Sequence, residues 1–136
     1  MTAEWETRLE ALPGAAPLTY VHNQWWMDAP VLDVRALAQT MLDLGVRLCT
    51  ITGIAVAEGE TQVIYHYAVP GGVLNVKVQT RSGKLNSITP ITGAAAWAER
   101  EIQDLFGATF TGHPNPSRLI RPAQLAEGFF REGSAD

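Results

Sequence analysis

The sequence has little of what redox and metal sites are usually built from. It contains one cysteine, Cys49, and three histidines, His22, His66 and His113, none of them at a metal-ligand spacing. An iron–sulfur cluster typically takes four thiolates, and a structural zinc ion takes four cysteine or histidine ligands. The Gly-x-Gly-x-x-Gly, P-loop and Gly-x-Ser-x-Gly spacings are also missing. The sequence therefore predicts a chain that holds no cofactor and no metal by itself.

Long apolar runs and clustered positive charge are missing as well. No apolar stretch reaches the roughly 18–20 residues that a membrane-spanning helix needs, and the acidic N-terminal stretch is unlike a signal peptide. Ten Lys and Arg are scattered among 14 Asp and Glu, which gives a net charge of −4. Nucleic acid is therefore not the expected partner. We expect a cytoplasmic protein that reaches a membrane only through its partners.

The hydrophobic content suits one globular domain. Of 136 residues, 46% are hydrophobic, which is enough for one core. We expect a single domain over residues 1–136, with its core at about 18–110 and a partner-contacting tail at about 111–136. Cys49 lies in an apolar stretch, and this favours a small buried side chain.

Hydrophobic periodicity and turn residues predict an α+β fold, a small antiparallel or mixed sheet with two main helices and an extended C-terminal tail. Prolines after Phe110 predict the tail. The expected elements are a short helix carrying Trp5, Leu9 and Leu12, a strand at 18–27, a helix at 32–44 capped by Gly45, strands at 46–57, 61–69 and about 74–79, and a helix at 94–106 closed by Gly107.

Alternation along the strands assigns residues to faces of the sheet. Val63, Tyr65, Tyr67 and Val69 should share the buried face of one strand. His66 falls on the opposite face, where a structural histidine with hydrogen-bond partners is the favoured interpretation. Trp25 and Trp26 should point to opposite faces, so that one joins the core and the other is free to anchor a partner.

The last predicted helix carries most of the charged residues of interest. On a helical wheel, Glu101 falls at the edge of the apolar arc near Trp97, and Asp104 lies just beyond Trp97. A carboxylate there is either a general acid or base, or a structural group held by backbone hydrogen bonds or by an ion pair with Arg118 or Arg121. The apolar arc consists of Ala94, Ala95, Ala98, Ile102, Leu105 and Phe106. The opposite side of the wheel carries Glu99, Arg100 and Gln103.

Three functions stay open on the residues alone. The chain is a structural subunit of a larger complex, a stand-alone acid–base enzyme using Glu101, Asp104 and His113, or a binding module for an unrelated protein. The proline-stiffened tail is either draped over another protein or an ordinary loop that covers its own domain.

A specific motif runs through the last helix and beyond it. Residues 97–107 read Trp-Ala-Glu-Arg-Glu-Ile-Gln-Asp-Leu-Phe-Gly and are followed by Phe110, Gly112-His113-Pro114 and Arg118-Leu119-Ile120. This pattern resembles the signature of the thirty-kilodalton subunit family of respiratory NADH:quinone oxidoreductase (Complex I), together with the matching subunit of energy-converting nickel–iron hydrogenases. Weaker likeness includes Ser87-Ile88-Thr89, and the resemblance covers about residues 30–125.

The resemblance implies a non-catalytic subunit of the hydrophilic arm, peripheral to the inner face of the cell membrane, without a cofactor. It implies packing against the large subunit that holds the quinone site or the nickel–iron centre, near the small iron–sulfur subunit. The implied interface consists of the signature residues, which are Trp97, Glu99, Arg100, Glu101, Asp104, Leu105, Phe106, Gly107, Phe110, Gly112, His113, Pro114 and Arg118.

The sequence departs from this family at three places. Ser117 stands where a basic residue is usual, and the strand around Thr52-Gly53-Ile54 lacks an Asp often found there. The sequence also ends soon after Phe129-Phe130-Arg131. This short form is more similar to the hydrogenase and formate-hydrogenlyase-like versions, which we therefore expect slightly more than the respiratory one.

Overall fold

The computed structural model describes residues 3–114, which form three helices and seven strands. The elements in chain order are α1 (Glu4–Glu10), β1 (Thr19–Val21), β2 (Gln24–Asp28), α2 (Val34–Asp43), β3 (Arg47–Ala55), β4 (Thr61–Val69), β5 (Gly72–Gln79), β6 (Lys84–Asn86), α3 (Ala96–Phe106) and β7 (Thr109–Thr111). Short 3₁₀ turns at Ala57–Gly59 and Gly93–Ala95 precede β4 and α3.

One mixed sheet organises the domain. Its strand order is β1-β2-β5-β4-β3, and a separate two-stranded ribbon joins β6 to β7. Neighbours in the large sheet are antiparallel except β2 and β5, which are parallel, and β6 and β7 are also parallel. The predicted α+β class with a small mixed sheet and two main helices is confirmed. Among residues 3–114, no helix is long and apolar enough to span a membrane.

The core lies between one face of the sheet and the helices. Val63, Tyr65, Tyr67 and Val69 of β4 are all buried, as their alternation predicts. α1 and α2 contribute buried side chains of their own to the same core. They include Trp5, Leu9, Val34, Leu37 and Met41.

The other face of the sheet carries a chain of polar contacts. His66 Nε2 lies 2.8 Å from Thr52 Oγ1, and His66 Nδ1 lies 2.6 Å from Asn75 Oδ1. Asn75 in turn donates to Gln24 Oε1 at 2.8 Å. The prediction of a structural histidine with its hydrogen bonds satisfied is confirmed.

Trp25 and Trp26 lie on opposite faces, as predicted. Trp25 packs edge-on against Trp5, with ring centroids 5.2 Å apart. Trp26 is half-buried on the polar face, where the Lys77 ammonium lies 5.0 Å from its ring centroid. The core tryptophan is therefore Trp25.

The single strand predicted over residues 18–27 is wrong. The segment is a hairpin in which β1 and β2 are joined at His22 and Asn23, with positive φ of 52° and 65°. Two successive positive φ angles define a tight turn that twists with its strands. The sequence gives no clear signal for the hairpin because this turn lacks the glycine that usually marks it.

The prediction that Cys49 is buried is also wrong, because its side chain is exposed. In the pairing of β3 with β4, Leu48 pairs with Tyr67 and Thr50 with His66, so Cys49 is an extra residue. Such a bulge interrupts the alternation of faces. Leu48 and Ile51 stay buried on either side, and Cys49 and Thr50 are both exposed.

The sequence also does not predict the short strand β7, which lies where the extended tail is expected to start. β7 pairs residue by residue with β6, and the Phe110 side chain is buried in the core. Arg35 of α2 holds this ribbon through Nε to the Ser87 carbonyl at 3.1 Å and Nη2 to the Thr111 carbonyl at 3.0 Å. The ribbon escapes prediction because each of its strands is only three residues long. The rest of the predicted tail, from 115 onward, lies outside the described residues.

Candidate functional site

A fully buried carboxylate, that of Glu99, lies in the first turn of α3. Glu99 accepts a hydrogen bond from the Ser87 hydroxyl at 2.5 Å and from the Thr89 hydroxyl at 2.7 Å. Its second oxygen accepts from the Ile88 backbone N–H at 2.8 Å. Because all three donors precede α3 in the chain, Glu99 ties the segment 87–89 to the helix. We call Glu99 and these three residues the Glu99 cluster.

Burial and the carboxylate affect the tyrosines of β4. Burial raises the pKa of Tyr65 well above its usual value, and the nearby Glu99 carboxylate and Tyr67 raise it further. Burial likewise raises the pKa of Tyr67. Within residues 3–114, neither tyrosine hydroxyl has a hydrogen-bond partner. Both phenols therefore stay protonated at neutral pH.

His113 lies against the same helix. Its Nε2 is 3.1 Å from the Ala96 carbonyl oxygen and 3.8 Å from a Glu99 carboxylate oxygen, and its side chain is almost fully buried. A carbonyl oxygen only accepts hydrogen bonds, so Nε2 is the nitrogen that carries the proton. His113 thus joins the segment after β7 to the start of α3 beside the Glu99 cluster.

The helical wheel misplaces three residues of α3. Glu99, expected opposite the apolar arc, and Asp104, expected beyond Trp97, are buried. Trp97, expected at the border of the core, is 62% exposed. The wheel assumes that one side of the helix meets the core. Ile102 and Phe106 of α3 meet β3, where they would contact a Cβ at Gly53, and the 87–89 segment covers another side.

The three residues proposed for acid–base catalysis occupy different environments. Asp104 and His113 are buried, and Glu101 is half-buried. Two surface cavities formed by residues 3–114 are both lined by other side chains. These two cavities therefore give a substrate no access to the three proposed residues. Arg118, the expected partner of Glu101, lies outside the described residues.

The remaining signature residues either allow a particular backbone conformation or are partly or fully exposed. Gly107 ends α3 in the left-handed conformation, with φ 76°, as predicted. Gly112 also has positive φ, and a Cβ there would lie 2.6 Å from Arg35 Nη2. Arg100, Leu105 and Phe106 are half-buried, and Pro114 is exposed.

Arg35, Ser87 and Thr89 are not singled out as functional residues by the sequence. A signal for two of them exists, since two hydroxyl residues flank an isoleucine just before a helix rich in acids. Arg35 offers no such signal, because its partners are backbone carbonyls distant in the sequence. Within residues 3–114, no group of three or more His, Cys, Asp or Glu side chains is placed to hold a metal ion.

The chain is a two-layer α+β domain. In its signature motif, Glu99 holds the segment 87–89 to α3, and Trp97 is exposed to solvent. The sequence pattern of the family described as respiratory-chain NADH dehydrogenase, 30 Kd subunit, matches residues 28–132. The chain belongs to this family. The resemblance seen in the sequence is confirmed.

Individual relatives match over shorter stretches. The chain is 37% identical over 62 residues to the mitochondrial NADH-ubiquinone oxidoreductase 30.4 kDa subunit of Neurospora crassa, covering 43% of this chain and 22% of that protein. It is 36% identical over 61 residues to an NADH-quinone oxidoreductase subunit of Sinorhizobium medicae, covering 43% of this chain and 30% of the relative. The matched part thus spans less than a third of either relative.

Two solved structures share the fold. A chain in the structure of the membrane-bound sulfane sulfur reductase, an archaeal respiratory membrane complex, superposes with a TM-score of 0.69 at 22% identity, covering 89% of this chain and 74% of that one. A trypsin-resistant fragment of Nqo5 superposes with a TM-score of 0.59 at 25% identity, covering 75% and 89%. The first supports the fold alone.

Proposed function

We propose that this chain is a non-catalytic structural subunit in the hydrophilic arm of a membrane-associated electron-transfer complex, either an NADH:quinone oxidoreductase or an energy-converting hydrogenase. It docks against the large subunit that carries the quinone site or the nickel–iron centre, close to the small iron–sulfur subunit. It lies at the inner face of the membrane and holds no cofactor. Family membership over residues 28–132 supports this role.

The single structural observation that carries the docking role is Trp97. Its indole is 62% exposed, the largest fraction among the Trp, Tyr and Phe side chains of residues 3–114. An exposed large aromatic side chain is informative because tryptophan is normally highly buried. Tryptophans that are exposed in the free subunit and buried on assembly dominate the affinity of many protein interfaces. Trp97 therefore fits the role of an anchor for a partner subunit.

The surroundings of Trp97 suit burial by a protein. Residues 89–98, Thr-Pro-Ile-Thr-Gly-Ala-Ala-Ala-Trp-Ala, contain no charged side chain. Pro90, Gly93 and Ala94 are exposed within this stretch. The stretch itself carries no charge to desolvate, and its small side chains allow close approach of a partner backbone. Charged neighbours of Trp97 begin one turn along α3, at the half-buried Arg100 and Glu101. We call the exposed part of residues 90–97 the Trp97 surface.

The stretch after β7 extends this surface. His113 contacts the Ala96 carbonyl, so the exposed Pro114 follows a residue that is already held beside Trp97. Glu99 and His113 are thus the buried signature residues next to this surface, and Trp97 and Pro114 are the exposed ones. The chain beyond Pro114, including Arg118, continues from this point and is proposed as part of the same contact.

Assembly tests the docking role. A tagged chain carrying Trp97→Ala, made in cells that lack the native copy, should recover its partner subunits at least about tenfold less well than the unchanged chain. Leu42→Ala is the matched control, because Leu42 is a 53% exposed apolar residue on a different helix, α2. Equal recovery of the partners by both variants would contradict docking through Trp97.

The alternative of a stand-alone acid–base enzyme makes the opposite prediction. Glu101→Gln should then leave assembly intact and abolish turnover. A structural subunit instead keeps the activity of the assembled complex in proportion to the amount of complex formed. Measuring both quantities on the same preparation separates the two functions.

A further inference from the structure

Glu99 is buried, but it lies close to His113, which is next to residues at the exposed Trp97 surface. One carboxylate oxygen accepts from Ser87 and Thr89, and the same oxygen lies 3.8 Å from His113 Nε2. His113 is followed by Pro114, which is exposed, and it contacts Ala96, which precedes Trp97. The buried Glu99 carboxylate therefore lies beside His113. His113 is linked to the Trp97 surface through its chain neighbour Pro114 and through its contact with Ala96.

Two contacts of Nε2 define the position of the His113 ring. Nε2–H donates to the Ala96 carbonyl at 3.1 Å, and a Glu99 carboxylate oxygen lies 3.8 Å from the same nitrogen. At 3.8 Å the carboxylate is not itself a good hydrogen-bond partner of Nε2. Its effect is to orient the ring and keep the bond to Ala96.

A second contact holds the same segment from the other side. Arg35 Nη2 donates to the Thr111 carbonyl at 3.0 Å, and Gly112 leaves room for that guanidinium because a Cβ would lie 2.6 Å away. The His113 amide also donates to the Phe110 carbonyl at 3.3 Å. Residues 111–113 are thus fixed between α2 and α3. Ser87, whose hydroxyl donates to Glu99, also donates its amide to the Thr111 carbonyl at 2.9 Å.

We propose that Glu99 is a positioning residue: through His113 it holds residues 111–114 against the start of α3 and so sets the place of Pro114 beside Trp97. The idea that this place is a docking surface rests on the proposed function. The positioning by Glu99 is independent of the proposed function and can be measured on the isolated full chain. Glu99 itself touches no partner.

Amide hydrogen exchange and ring nitrogen shifts of His113 test the positioning role. Glu99→Gln keeps the shape of the side chain and removes its charge. We expect the His113 amide to exchange about tenfold faster, because the segment opens locally, and the His113 ring to lose its fixed Nε2–H tautomer. Leu9→Ala is the control, since it truncates a buried core residue of α1 and lowers global stability.

A double substitution sharpens the test. If Glu99 acts through His113, then Glu99→Gln has little further effect on exchange of the 111–113 amides once His113→Ala is present. Faster exchange and a changed tautomer in Glu99→Gln, but not in Leu9→Ala, support the proposal. An unchanged His113 ring, or equal acceleration in both variants, overturns it and leaves Glu99 an ordinary core residue.

The assembly experiment then separates the two ideas. If Glu99→Gln frees residues 111–114 while Trp97→Ala still assembles normally, the positioning role stands and the docking surface is refuted. If Trp97→Ala blocks assembly while His113 is unaffected by Glu99→Gln, the docking surface stands and the positioning role is refuted.

Discussion

The two longer helices, α2 and α3, have similar lengths of 10 and 11 residues but are stabilised in different ways. The N-cap residue of α2 is Asp33, whose side chain accepts hydrogen bonds from the backbone N–H groups of Arg35 and Ala36. The N-cap residue of α3 is Ala95, which has no side-chain capping hydrogen bond. Its buried polar anchor lies inside the first turn instead, at Glu99.

The two helices also differ in what covers them. The buried residues of α2 are apolar except Thr40, so its hydrophobic stripe shows which side meets the core. α3 buries Glu99 and Asp104 together with Ile102 and leaves Trp97 in solvent. A stripe identifies the buried side only when one apolar layer contacts the helix. Where a polar segment covers a second side of the helix, a helical wheel assigns a buried acidic residue to the solvent-exposed side.

The largest effect on stability is expected when the buried carboxylate is removed. Glu99→Ala leaves the Ser87 and Thr89 hydroxyls and the Ile88 N–H without their acceptor in the core. The free energy of unfolding should fall by about 3–5 kcal/mol, much of the roughly 5–15 kcal/mol typical of a domain. Denaturant unfolding measures it.

Glu101→Ala is the matched control for this substitution. The sequence places Glu101 at the edge of the apolar arc, and its side chain is half-buried; within residues 3–114 no ion pair involves it. We now expect a much smaller loss for Glu101→Ala. If Glu101→Ala proved as costly as Glu99→Ala, the assignment of the buried anchor would be wrong.

A second, pH-dependent effect comes from the tyrosines beneath α3. Burial raises the pKa of Tyr65 and Tyr67 above the usual value of 10.0. Above pH 10 the unfolded chain loses these phenol protons while the folded chain keeps them, so the unfolded state binds fewer protons and stability falls. Each tyrosine should contribute a loss of about 1.4 kcal/mol per pH unit there.

Phenylalanine variants measure the share of each tyrosine. Tyr67→Phe should flatten the alkaline decline, and at neutral pH it should not destabilise, because within residues 3–114 its hydroxyl has no partner to lose. Tyr20→Phe is the control, since Tyr20 is exposed and lies outside the core. An alkaline slope that is the same in both variants would refute the contribution of Tyr67.

How far the sequence predicts the structure depends on the element. Alternation in β4 and the glycine caps at Gly45 and Gly107 are local signals, and the structure follows them. The parallel pairing of β2 with β5, the bulge at Cys49 and the Glu99 cluster depend on segments distant in the sequence. No local periodicity encodes such contacts, so the fold class is predictable and the interior of the site is not.

A smaller effect is expected at the start of α2. Asp33→Ala removes the acceptor of two backbone N–H groups and should lower stability by about 1 kcal/mol. Asp33→Asn keeps a capping oxygen and should cost much less. Thermal unfolding of both variants checks this, and equal losses would show that the charge at the helix terminus, rather than the cap, stabilises α2.

The smallest effect on folding is expected at Trp97, the residue on which docking depends most. Its indole is 62% exposed, so Trp97→Ala removes little buried area and should change the free energy of unfolding by less than about 0.5 kcal/mol. Trp5→Ala provides the contrast, because Trp5 is buried and its truncation should cost about 3–5 kcal/mol. A loss above about 2 kcal/mol for Trp97→Ala would restore the wheel's placement of Trp97 at the core border. A stable Trp97→Ala variant that fails to assemble would instead separate docking from folding at a single side chain.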